Sequence, residues 1–206
     1  MSTFTNAERK MLYSYIGASN NYLEFGSGES TIYASSVPTI KTITSVESSK
    51  QFFEKNLIHN PAIASALSTG KLSFHFVDIG ETIDLGHPKD TSKKHLWPNY
   101  SLSVFNQKSE HDLFLVDGRF RVACTLNCIL NSSGNCTILI HDFWNRPKYH
   151  VVLNFLTLEN KVDTLGVFKK RELVNRDRIT SLIQTYQYLP EDTITTAHTI
   201  KAKIIG

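Results

Sequence analysis

The sequence predicts an α/β domain with a mostly parallel central sheet and helices on both faces. Three observations carry this. Short β-branched and aromatic runs alternate with helical patterns along the chain. An acidic residue closes five successive strands: Glu24, Glu47, Asp78, Asp117 and Asp142. Between the first strand and the first crossover helix stands Glu24-Phe25-Gly26-Ser27-Gly28-Glu29-Ser30. Such a glycine turn lets a ligand approach backbone that a β-carbon would shield.

The elements follow in order. Residues 7–16 read as a leading helix. Residues 22–25 form the first strand, apolar at Tyr22, Leu23 and Phe25, and 30–36 the first crossover helix. Residues 41–46 form a β-branched second strand, and 48–58 a second helix whose start suits Ser48 and Ser49. Residues 71–77 form a third strand that ends at Asp78, and 112–116 a fourth that ends at Asp117. A helix spans 121–130. Residues 136–140 form a fifth strand, ending at His141-Asp142. A helix over 148–158 carries Val151, Val152 and Phe155 on its apolar face, and a further strand covers 162–168. There is no internal repeat.

The stretch 80–109 breaks the alternation. Connections this long are usually functional or disordered. Trp97 and Tyr100 argue for order, since disordered segments are poor in aromatics. The expectation is a lid or acceptor-binding insertion in which His87, His95, Trp97 and Tyr100 border the acceptor and become ordered on binding.

Composition narrows the class. The 206 residues suffice for one sizeable domain, with 41% hydrophobic and 20% charged residues. A net charge of +3 without a basic run argues against nucleic acid. No apolar stretch is long enough for a membrane span, and the first ten residues lack a secretory apolar core. The expectation is a cytoplasmic protein acting on a small, anionic or glycan-like molecule. Cys124, Cys128 and Cys136 read as buried reduced thiols, because they are odd in number and lack zinc-site spacing.

The glycine turn is the sharper signal. A dinucleotide site would put a third glycine at Thr31 and would not need an acid two places before the first. Glu47 closes the second strand 19 residues after Gly28, near the spacing of a ribose-binding acid. In open α/β sheets ligands sit beyond the carboxyl ends of the strands, where all five acids fall.

Glu24-x-Gly26-x-Gly28-x-Ser30 resembles the first motif of class I S-adenosylmethionine (SAM)-dependent methyltransferases, with Ser30 in place of the third glycine. Residues 8–170 resemble a small branch of that superfamily. The resemblance runs through Thr44-Ser45-Val46-Glu47, Asp78-Ile79-Gly80, Gly86-His87-Pro88, Val116-Asp117-Gly118-Arg119-Phe120-Arg121-Val122-Ala123-Cys124 and Asp142-Phe143-Trp144. It implies a Rossmann-like methyltransferase fold with SAM as cofactor. The cofactor would lie on Glu24, Phe25, Gly26, Ser27, Gly28, Ser30, Glu47, Ser48, Asp78, Ile79 and Asp117. Glu24 would sit near the sulfonium end and Asp78 near the adenine amino group.

The same resemblance implies an acceptor end. Asp117 is the leading base, with His141 and Asp142 next. Arg119 and Arg121 would clamp a carboxylate or phosphate. Catechol-type O-methyltransferases hold a divalent cation between an acid after the fourth strand and an Asp-Asn pair after the fifth. Here Asp117 and Asp142 match, but Phe143 replaces the Asn, so a metal is the minor reading. A non-catalytic adenosyl-binding protein and an NAD-linked or nucleotide-sugar oxidoreductase remain as alternatives. The oxidoreductase is weakened by the missing third glycine and the lack of a Tyr-x-x-x-Lys pair. The absence of an Asn/Asp-Pro-Pro-Tyr/Phe motif speaks against RNA methylation.

Overall fold

A computed structural model describes residues 4–106, 110–132 and 134–192. Helix α1 (Asn6–Ala18) leads into β1 (Asn21–Phe25), α2 (Glu29–Ser36), β2 (Thr42–Glu47), α3 (Lys50–Asn56), α4 (Pro61–Ser68) and β3 (Leu72–Phe76). A small hairpin, β4 (Thr82–Ile83) with β5 (His87–Pro88), and helix α5 (Pro98–Leu102) occupy the long connection. The chain continues through β6 (Leu113–Val116), α6 (Arg121–Asn131), β7 (Thr137–Ile140), a 3₁₀ stretch (Pro147–Asn154), β8 (Leu156–Val162), β9 (Leu165–Lys170) and α7 (Arg176–Tyr186).

Seven strands form one sheet in the order β3-β2-β1-β6-β7-β9-β8. β9 alone runs opposite to the other six, antiparallel to both β7 and β8. After β1 the chain builds outward through β2 and β3, then returns to place β6 on the other side of β1. That reversal opens a crevice at the strand ends. The register sets the crevice: Phe25 lies opposite both Val46 and Val116, and Val116 opposite Ile140. Gly26, Glu47, Asp117 and His141 are therefore brought side by side.

Strand alternation sends side chains to two apolar layers. Leu23, Phe25, Phe114, Val116, Ile138 and Ile140 pack with Val122 and Leu126 of α6 and Ile179 and Ile183 of α7. Tyr22, Leu113, Leu115 and Leu139 pack with Leu12 and Ile16 of α1, Ala34 of α2 and Ile63 of α4. Each fully buried Leu, Ile or Phe contributes roughly 1.5–3 kcal/mol relative to exposure. Glu24 faces the second layer too, beneath α2.

Helix ends are specified locally. Thr5 and Glu8 form a capping box at the start of α1. Asn60 caps α4 ahead of Pro61, a residue preorganised for a first helical turn. The three cysteines are free and buried, two of them along α6. No helix among the described residues is long and apolar enough to cross a membrane.

Three parts differ from the sequence reading. Helix 148–158 is a 3₁₀ stretch that gives way to β8, and the strand over 162–168 is the hairpin partner β9. β8 is an edge strand with mostly exposed residues, so its polar sequence hides its strand character. Helices α4 and α7 lie where no element is expected. Within residues 80–109, Trp97 and Tyr100 are core side chains, Trp97 donating to the Ile79 carbonyl (3.0 Å). Both rings pack against Phe120. Residues 107–109 lie outside the described residues.

Candidate functional site

The glycine turn is built from beneath. Glu24 is fully buried and accepts from the hydroxyls of Tyr22 (2.9 Å), Ser30 (2.6 Å), Ser45 (2.7 Å) and Thr31. Burial pushes its carboxyl up, against hydroxyls that favour the ion. Thr31 Oγ1 also accepts from Gly28 N (2.8 Å), so Glu24 shapes the turn through α2. Gly26 sits at φ +93°, and a β-carbon there would lie 2.9 Å from the Gly118 nitrogen. At Gly28 a β-carbon would meet nothing within 4 Å. The first glycine therefore serves the fold, and the second faces open space.

Glu47 lies beside this turn. Its Oε2 accepts from Ser27 N (3.1 Å), and Oε1 from Ser48 N (2.7 Å) and Ser49 N (3.0 Å). A carboxylate offers about four acceptor positions, two on each oxygen. Oε2 keeps one for a ligand hydroxyl.

Across the crevice, Asp117 Oδ1 meets His141 Nδ1 (2.8 Å) and Arg121 Nη2 (3.1 Å). Burial opposes charge on Asp117, but Arg121 and His141 hold its carboxyl below the usual range. Burial likewise opposes the imidazolium, yet Asp117 raises His141. The other face of that ring meets Glu8 Oε2 (3.5 Å), and Phe4 covers it at 4.2 Å between centroids. Asp142, at φ +57°, accepts from Arg146 Nη2 (2.7 Å) and Arg121 Nη1 (3.4 Å).

Arg119 is 8% exposed. Its Nη1 donates to His87 Nε2 (2.6 Å) and lies 3.5 Å from Glu191 Oε1, while Nε is buried without a partner. His87 Nδ1 pairs with Glu191. Burial and then Arg119 push the His87 ring down, toward the neutral form that can accept from a guanidinium. Asp192 caps α6 from far along the chain, accepting from Arg121 N (2.9 Å) and Val122 N (3.0 Å). Burial raises Asp192 to about 7.

Several of these groups line one cavity of about 920 Å³, within the range of small-molecule sites. Gly26, Ser27, Gly28, Ser30, Glu47 and Ser48 form one side, and Asp117, Gly118, Arg119, His141 and Asp142 the other. The cradle fits an adenosyl amino acid: a helix start, an acid with acceptor capacity, and space over Gly28.

Solved structures that resemble this chain include methyltransferases and a methyltransferase-like protein. A methyltransferase-like protein from Silicibacter pomeroyi DSS-3 superposes with a TM-score of 0.76, is 29% identical, and matches 91% of this chain and 97% of its own. A proposed O-methyltransferase from Klebsiella pneumoniae gives 0.54 at 11% identity, covering 82% and 81%. A proposed caffeoyl-CoA O-methyltransferase from Staphylococcus aureus gives 0.52 at 12%, covering 82% and 86%. The fold is that of the class I methyltransferases. No protein-family model matches the chain, and no curated protein does.

Several expected site residues are placed elsewhere. Glu24 and Phe25 are fully buried and neither lines the cavity. Asp78 is exposed and paired with Lys93, and Ile79 is buried; neither lines the cavity. Residues 82–86, of the hairpin that follows, line it. Trp97 and the exposed His95 also lie off the lining, while Tyr100 and Arg119 are on it. Arg121 is taken up by internal partners. His141 has a carboxylate at each ring nitrogen, which suits it to orienting Asp117 and not to taking a proton.

A divalent cation between Asp117 and Asp142 does not fit, because guanidinium groups already occupy their facing oxygens. No cluster of His, Cys, Asp and Glu with metal-site geometry occurs among the described residues. Sequence reasoning missed Phe4, Glu8, Phe52, Ile83, Leu85 and Arg146. Only the Thr5–Glu8 capping spacing and the Asp142–Arg146 interval of four gave any signal.

Proposed function

We propose that this chain is a SAM-dependent methyltransferase acting on a small anionic acceptor. The observation that carries the reading is one cavity with two unlike halves. One half is a glycine turn with Glu47 beside it; the other is the paired strand ends at Asp117 and Asp142. The fold shared with methyltransferase structures supports it.

Bound SAM supplies an electrophilic methyl group on a sulfonium. The chain supplies the rest. N–H groups at the start of α2 bind a carboxylate. Glu47 accepts ribose hydroxyls. Phe52, Ile83 and Leu85, all notably exposed, offer an apolar rim at the same end. Asp117, fixed by His141 and Arg121, sets a negative edge toward the acceptor. Arg119 presents a buried cation to the acceptor's negative group. Alignment of acceptor and methyl is the main contribution, worth roughly 7–11 kcal/mol in well-oriented systems.

Calorimetry with SAM, S-adenosylhomocysteine and NAD tests the reading. Binding of the two sulfur compounds and not NAD is the expected result; NAD binding alone would move the chain to the oxidoreductases. A binding protein without turnover is the second reading. The pairing of Asp117, His141 and Asp142 favours it, since each is already engaged. Methyl transfer to any of a panel of small acids would remove it.

A further inference from the structure

Two carboxylates that converge at neighbouring strand ends repel each other unless a proton or a cation joins them. Asp117 after β6 and Asp142 after β7 are such a pair, and Arg121 lies between them. We propose that the Arg121 guanidinium is a built-in cation for this pair, so that the acceptor end of the cavity works without a divalent metal. The proposal rests on reading the cavity as a methyltransferase site.

The guanidinium is fixed. It is 4% exposed, and its nitrogens meet five oxygens. Nε donates to Gly118 O (2.9 Å), Nη2 to Asp117 O (2.9 Å), and Nη1 to His141 O and Asp142 Oδ2 (3.4 Å), while Nη2 also lies 3.1 Å from Asp117 Oδ1 as an ion pair. Three of these are backbone carbonyls of the two loops themselves. Arg121 therefore joins the loops after β6 and β7, and a metal bridging the two carboxylates would have to displace its contacts with both.

The charge around it is already matched. Asp117, Asp142 and Glu8 face Arg121, Arg146 and His141. A divalent ion would leave the group with excess positive charge. Asp117, paired with Arg121 and His141, is held in its charged form, its carboxyl below the usual range. The acceptor that suits this end therefore arrives with an unprotonated nucleophilic atom, and a carboxylate held by Arg119 meets that requirement. Its oxygen gains the methyl group, the sulfonium leaves as a neutral thioether, and no proton moves.

Manganese binding tests the proposal directly. Mn²⁺ is titrated by electron paramagnetic resonance into wild-type protein, Asp142→Asn, Arg121→Ala and the double variant. Wild type should show no Asp142-dependent binding at millimolar Mn²⁺. Arg121→Ala should gain a site that Asp142→Asn removes. Wild-type binding that disappears in Asp142→Asn overturns the proposal, as does a folded Arg121→Ala that gains nothing. If Arg121→Ala does not fold, the comparison of wild type with Asp142→Asn still decides. S-adenosylhomocysteine calorimetry on wild type is run alongside: failure there removes the cofactor reading and leaves the manganese result standing.

Discussion

The backbones of Gly26 and Gly118 are in contact, so the turn after β1 and the turn after β6 form one packed unit. A β-carbon on Gly118 would fall 2.2 Å from the Tyr100 hydroxyl. The two halves of the cavity are thereby fixed to each other through glycines, with the Tyr100 ring beneath.

Glycine substitutions should separate fold from ligand binding. Gly26→Ala adds a positive-φ penalty of about 1–2 kcal/mol and a clash of about 1–3 kcal/mol. Its melting temperature should fall by several degrees. Gly28→Leu points into open space, so it should melt near wild type and lose S-adenosylhomocysteine binding. Thermal melts and calorimetry on the pair check this; an unchanged melt for Gly26→Ala contradicts the packing.

Glu47→Ala should weaken S-adenosylhomocysteine by roughly 1.5–3 kcal/mol, the range for hydrogen bonds to a charged group. Its stability should drop too, because three backbone N–H groups lose their acceptor. Unaltered affinity in calorimetry would show that the ribose does not sit there.

Arg119→Ala should act on the acceptor. With radiolabelled SAM and a panel of small acids, KM should rise roughly tenfold or more while kcat changes little, as expected on losing a charge-assisted hydrogen bond. Neutral acceptors turning over as well as acids would rule out an anionic acceptor.

Asp192 predicts a pH dependence. Its folded-state value of about 7 lies above the ordinary 3.8, so the folded form holds a proton that the unfolded chain gives up. This group's contribution is complete below about pH 4 and is lost as pH rises to about 7. Asp192→Asn does not titrate. Wild-type stability relative to this variant should fall across that window, with a slope of up to about 1.4 kcal/mol for each step of one in pH. Denaturant melts at several pH values measure it; a constant difference would place Asp192 outside the buried cap.

The fold and half the site could be read from sequence for physical reasons. Parallel strands leave apolar runs, and the acids that end them stand out, so Glu47, Asp117 and Asp142 were legible. Glu24 was legible as special but not in its role. An acid before a glycine turn reads alike whether it faces a ligand or, as here, four hydroxyls below. Arg121 was misread because three of its partners are carbonyls, which carry no side-chain signature. Asp78 was misplaced because the hairpin after it, not the strand end, reaches the cavity. α4 and α7 escaped notice because neither adjoins a motif.

The cap that Asp192 places on α6 has a bearing on biosynthesis. The helix that carries Arg121 is closed by a residue made 71 positions later. On a ribosome, domains form as their chain emerges, N-terminal parts first. The glycine turn and Glu47 can assemble early, but the acceptor end cannot mature until Asp192 has left the exit tunnel. A stalled or prematurely ended nascent chain would thus carry the glycine turn and Glu47 facing an unfinished opposite wall.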